Sequence, residues 1–109
     1  MIDWERVKEL RGEIGADDFT EVVEMFLEEA DEVVKRLTPA LSAKSMEADL
    51  HFLKGAALNL GFVALSTLCQ DGERRAAAGS TAVDLKAVTQ VYFDSKAAFE
   101  NGLDRALAA

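Results

Sequence analysis

The sequence holds 109 residues, half of them apolar, enough for one domain that buries roughly two thirds of its unfolded surface. Its net charge of −8 argues against nucleic acid, whose binding is driven by basic groups that displace counterions, and equally against anionic membranes. Met1-Ile2-Asp3-Trp4-Glu5 has neither the basic head nor the apolar stretch of a signal peptide, no apolar run approaches a membrane span, and the lone Cys69 makes no internal disulfide, so a cytoplasmic, reducing location is expected.

Glycine is sparse, the only proline is Pro39, and alanine, leucine, glutamate and lysine abound, which points to helices and leaves no convincing strand. Asp3 is placed to cap a first helix, with Ile2 and Val7 stapling its start and Trp4, Val7 and Leu10 or Ile14 as its apolar side. Gly12 and Gly15 then break the pattern. Asp17-Asp18 with Glu21 opens a second helix, where carboxylates suit the positive end of the dipole. Phe19, Val22, Val23, Phe26, Ala30, Val33, Val34 and Leu37 recur at spacings of three and four, a sustained helical stripe. Pro39 ends or kinks this helix near Leu37 or Thr38, with Leu41 a candidate for one more turn.

Residues 42–45 read as a connection, with Ser45 the expected cap of a third helix that runs through His51 to Leu60 and is closed by Gly61. A fourth helix follows at once with Leu65, Leu68, Cys69 and Ala76 at core spacing, fading at Ala78-Gly79-Ser80. Thr81 with Asp84 is the expected capping pair of a last helix whose apolar side is Leu85, Val88, Val91 or Tyr92, Phe99 and Leu103. The expectation is an all-α fold in a single domain over residues 1–109: an antiparallel up-down four-helix bundle with a short extra N-terminal helix across one end. Such a bundle buries its own stripes, so a monomer is expected.

The third helix carries the chemistry. At about 100° per residue, Leu50, Leu53, Ala57 and Leu60 fall within about one 80° arc, which faces the core. His51, the only histidine, lies on another face with Lys54, Gly55 and Leu58 three, four and seven residues on. A glycine there costs roughly 1 kcal/mol against alanine. What it gains is a bare surface one turn beyond the imidazole, open to another molecule's approach. Lys54 brings an ammonium within reach of anything attached to the ring, a point charge suited to phosphate. A neutral imidazole nitrogen is a nucleophile near pH 7, so the patch suits transient phosphorylation. Phosphoryl transfer also wants a metal ion, and no ligand cluster accompanies His51. The patch therefore reads as half of an active site.

His51-Phe52-Leu53-Lys54-Gly55-Ala56-Ala57-Leu58-Asn59-Leu60-Gly61-Phe62 resembles the His-x-x-Lys-Gly signature of histidine-containing phosphotransfer (HPt) domains. It departs in having Ala56 and Ala57 where many members have serine. By the resemblance, His51 is the phosphoacceptor, Lys54 stabilises the phosphoryl group, and Gly55 is the small residue that opens the surface; Leu58, an apolar residue on a face that should be wet, reads with Gly55 as part of a docking surface for a receiver domain. The resemblance also implies a carrier with no kinase activity, nucleotide site or cofactor of its own. It would take a phosphoryl group from the receiver domain of a hybrid histidine kinase and pass it to that of a response regulator, Mg²⁺ coming with the receiver.

Blander readings stand beside these: a solvated Lys54, a tolerated exposed Leu58, and a Glu47 present only for the helix dipole. Glu47, four residues before His51, is alternatively placed to accept a hydrogen bond from Nδ1, leaving Nε2 as the nucleophile. Phe52, Phe62 and Cys69 read as core, the acidic run at residues 28–32 as a solvated face, and Asn59 has no role. Two other functions fit the pattern: the phosphoacceptor domain of a chemotaxis-type histidine kinase, disfavoured by a chain ending at Ala109, and a helical adaptor that is never phosphorylated.

Overall fold

A computed structural model describes residues 1–108, in five helices: α1 (Trp4–Ile14), α2 (Ala16–Arg36), α3 (Ala43–Leu60), α4 (Val63–Ala77) and α5 (Leu85–Ala108). The last four form the up-down bundle, and α1 lies over the end where α3 turns into α4, the whole measuring 44 × 21 × 20 Å. The fold is thus the expected one, with several local differences.

Asp3 caps α1, its side chain accepting from the Arg6 N–H. The helix continues through Gly12 to Ile14, because one glycine in a helix is a small cost that neighbouring turns offset. It breaks at Gly15, where φ is +100° and the amide still donates to the Arg11 carbonyl at 2.8 Å. Asp17 and Asp18 fill the first turn of α2, as anticipated. On its stripe Phe19, Val23, Ala30, Val33, Val34 and Leu37 are buried, but Val22 and Phe26 are only half-buried and Leu27 takes their place in the core. The helix ends at Arg36, ahead of the proline-restricted Thr38. Leu41 adds no turn to it. Instead it sits in a bend, its amide donating to the Thr38 carbonyl.

The cap of α3 is Ser42, not Ser45. Its hydroxyl accepts from the Ser45 amide at 3.1 Å, so the chain enters the helix three residues earlier than expected. Likewise Asp84, not Thr81, caps α5, its carboxylate accepting from the Ala87 amide at 3.0 Å. Gly61 closes α3 in the left-handed conformation (φ +73°), and the Phe62 amide bonds back to the Ala57 carbonyl at 2.8 Å, the turn expected of a glycine helix end. No other residue fits. A Cβ on Gly61 would lie 2.5 Å from the Asp3 carbonyl oxygen, because the Asp3 amide donates to the Gly61 carbonyl and Ile2 pairs with Phe62.

The core is continuous along the bundle. Leu50, Leu53, Ala57 and Leu60 are each at most 1% exposed, so the stripe read from α3 is its buried face. Leu85, Val88, Tyr92, Ser95 and Phe99 repeat at three and four along α5. At the α1 end Trp4 stacks on Phe99 with centroids 5.8 Å apart, and Phe62 meets Phe99 edge-on at 5.7 Å. Phe62 and Cys69 are core as expected, and burial pushes the Cys69 thiol up to about 12, which keeps it protonated and inert. Phe52 is not core. It is 36% exposed, since its position on α3 lies beyond the edge of the apolar stripe, towards α2.

Candidate functional site

α3 and α4 form the most extensive helix pair, joined by the tight turn at Gly61-Phe62. His51 and Glu73 lie at equal sequence distances on either side of Phe62, so an antiparallel pair brings them level. Gly72 makes the approach close: a Cβ there would fall 2.9 Å from Leu50 Cδ1 and 3.0 Å from Val83 Cγ1. Glu73, the next residue, is thereby carried to the edge of α3.

There it meets both functional candidates. His51 Nδ1 lies 2.9 and 3.2 Å from the two Glu73 carboxylate oxygens. Lys54 Nζ donates to the same two at 2.9 and 3.2 Å. The imidazole is otherwise in water, its side chain 71% exposed, while Glu73 is 15% and Lys54 24% exposed. Hydrogen bonding from Lys54 first, and then from His51, holds the Glu73 carboxyl below the usual carboxylate range in spite of its burial. Glu73 is therefore ionised near neutral pH and can only accept. In the neutral ring Nδ1 must then carry the hydrogen, leaving the Nε2 lone pair free.

Around His51 the surface is low. Gly55 is exposed and a Cβ on it would meet nothing within 4 Å, so the glycine is not there to accommodate anything in this chain. Leu58 is 57% exposed. Glu47 makes no hydrogen bond to His51, and Glu73 holds the place that was expected of it; because α3 starts at Ala43, Glu47 also lies beyond the first turn, which holds no acidic residue. On the far side of α3, buried Asp49 receives Arg36 Nε and Nη2 at 3.1 and 2.8 Å, which ties α2 to α3 at the level of the imidazole. Asn59, which had no evident role, accepts from Arg6 at 3.0 Å and so ties α1 to α3.

The site thus offers an exposed imidazole with a directed lone pair, a lysine beside it and one carboxylate fixing both. Among the described residues, no three His, Cys, Asp or Glu side chains gather as a metal ion would need. Glu73, the carboxylate beside the imidazole, is already occupied by two donors. No helix among the described residues is long and apolar enough to cross a membrane.

A family model described as Hpt domain matches residues 21–109. It takes in most of α2 and all of α3, α4 and α5, and leaves α1 outside. No curated protein and no solved structure matches the chain.

Proposed function

This chain belongs to the Hpt domain family, whose members are phosphotransfer carriers of two-component signalling that interact with receiver domains, and from that membership we propose that it is a phosphorelay intermediate in which His51 accepts a phosphoryl group from a receiver-domain phospho-aspartate and passes it to another receiver aspartate. The observation that carries this reading is the hydrogen bond between His51 Nδ1 and Glu73, which leaves Nε2 as the nucleophile on an open face.

In the forward step the Nε2 lone pair attacks phosphorus, the Nε2–P bond forms and the acyl P–O bond breaks. The aspartate leaves as a carboxylate. The ring becomes an imidazolium, whose charge is developed against ionised Glu73 through the Nδ1 hydrogen bond. Lys54, one turn on, is close enough to exchange Glu73 for a phosphoryl oxygen. The return step is the same chemistry in reverse. Mg²⁺ is assigned to the receiver, because phosphoryl transfer is chiefly positioning and charge neutralisation and Glu73 is already taken up by Lys54 and His51. Gly55 and Leu58 supply the open and apolar parts of the contact, and the setting is cytoplasmic.

The test is intact-mass analysis of wild type and His51→Gln after incubation with Mg²⁺ and a phosphorylated receiver domain. An acid-labile addition seen only in the wild type is expected. Phosphorylation of His51→Gln at the wild-type level would overturn the assignment, and modification only by an ATP-bound kinase domain would favour the kinase-domain reading.

A further inference from the structure

Charge at His51 is out of balance once a phosphoryl group stands on the ring. Ionised Glu73 already lies against Nδ1, the phosphoryl group brings roughly two more negative charges, and the chain as a whole carries −8. Lys54 is the cation bonded into the site, and it holds both Glu73 oxygens, at 2.9 and 3.2 Å. If the ammonium turns to the phosphoryl oxygens, Glu73 is left uncompensated against them; if it stays, the phosphoryl group is. One lysine cannot meet both.

The neighbouring cations differ in whether they are free to help. Arg36, level with the imidazole on the α2 side, gives Nε and Nη2 to Asp49 at 3.1 and 2.8 Å. Arg75 Nε donates to Asp71 at 2.9 Å, and at about 200° round α4 from Glu73 it stands on the flank away from α3. Arg74 is different. It directly follows Glu73, it is exposed, and its guanidinium has no ion-pair or hydrogen-bond partner among the described residues. With Thr67, Gln70 and Asp71 it lines a shallow dimple of about 300 Å³ on the outer face of α4, which leaves the side chain room to turn.

Position and chemistry agree. Glu73 faces α3, and the next residue lies about 100° further round and about 1.5 Å further along the axis, on the open surface just outside the carboxylate. His51 Nε2 is turned towards the same surface, since Nδ1 is held by Glu73. A guanidinium on the long arginine stem presents a planar fork that matches two phosphoryl oxygens at once, which an ammonium does not.

We propose, resting on the phosphotransfer reading, that Arg74 is a further catalytic residue: its guanidinium closes over the transferred phosphoryl group from the α4 side and donates to two of its oxygens, sharing with Lys54 the charge that Lys54 alone cannot meet. The donor for the test is phosphoramidate, which is small and needs no protein contact. Its P–N bond breaks, ammonia leaves and the Nε2–P bond forms, while the ring keeps its own hydrogen on Nδ1.

Arg74→Ala is expected to be phosphorylated about tenfold more slowly than wild type, followed by intact mass. Arg74→Lys should recover part of the loss, because it keeps the charge without the fork. Arg75→Ala removes the same unit of charge and should react at the wild-type rate. In ¹⁵N-labelled protein the Arg74 Nε–H signal is expected to shift on phosphorylation and the Arg75 signal to stay. Phosphorylation of Arg74→Ala at the wild-type rate would overturn the proposal. So would equal losses in Arg74→Ala and Arg75→Ala, which would assign the effect to the general field of the surface and not to a contact. No receiver takes part in these reactions, so they are separate from the relay reading, which fails if wild type accepts from phosphoramidate but from no phosphorylated receiver.

Discussion

Glu73 on α4 and Asp31 on α2 are bonded alike: each accepts from a polar atom of a ring and from a lysine, His51 and Lys54 for Glu73, Tyr92 and Lys96 for Asp31. What differs is which partner faces water. Tyr92 is 1% exposed and its hydroxyl also reaches the Leu27 carbonyl at 3.2 Å. Its bonding capacity is used up inside the bundle, so the cluster ties α5 to α2 and does nothing else. His51 has a second nitrogen and turns it outward. The same arrangement of a carboxylate, a ring and a lysine yields a structural tie in one place and a directed nucleophile in the other, decided by the face of the helix on which the ring stands.

If that contrast is right, substitutions at the two clusters separate activity from stability. The largest effect is expected from His51→Gln, which should abolish acid-labile phosphorylation while leaving stability within about ±0.5 kcal/mol, as usual for an exposed position. Mass analysis and a urea melt on the same sample check both. Glu73→Gln comes next. The amide can still accept from Nδ1, but it no longer opposes the charge that develops on the ring, and it releases Lys54. Phosphorylation by phosphoramidate should slow about tenfold, the worth of a charge-assisted over a neutral hydrogen bond. An unchanged rate would reduce Glu73 to a structural partner like Asp31.

Tyr92→Phe tests the opposite cluster. It leaves Asp31 bonded to Lys96 but removes a buried donor, and should cost about 1–2 kcal/mol with no change in phosphorylation. Asp31 adds a pH signature. Burial pushes its pKa up, but the hydrogen bonds from Tyr92 and Lys96 prevail and bring it below the usual value. A carboxyl depressed in this way contributes stability that is fully present above its unfolded pKa of about 4 and is lost as pH falls through the folded value. In urea titrations wild type should therefore weaken over that acid range more steeply than Asp31→Asn.

The sequence made the helices, the buried stripe of α3 and the exposed His51-Lys54-Gly55 face legible, because each follows from local periodicity and one or two punctuating residues. Glu73 was missed, since its role depends on an alignment between helices. The signal was nevertheless present: a tight turn at Gly61-Phe62 levels residues at equal distances from it, and Gly72 falls on the core stripe of α4 between Cys69 and Ala76, which marks a close helix approach. Glu47 is the partner that reasoning within one helix can offer, because such reasoning reaches only neighbours one turn away. Phe52 was misplaced for a related reason. Being aromatic, it looked like core, although at 100° per residue it lies outside the arc of Leu50, Leu53, Ala57 and Leu60.

The smallest effect returns to the exposed face. Alanine at position 55 would place its Cβ in open space and remove the helix penalty of glycine, so Gly55→Ala should stabilise the bundle by about 0.5–1 kcal/mol. A chain optimised for stability alone would carry the alanine. If the glycine is kept for access to the imidazole, Gly55→Ala should phosphorylate normally with phosphoramidate, and a large side chain such as Gly55→Leu should slow only the receiver-dependent reaction. Equal loss with both donors would mean that the substitution disturbs His51 itself, and the openness of this face would no longer explain why a destabilising residue stands one turn from the nucleophile.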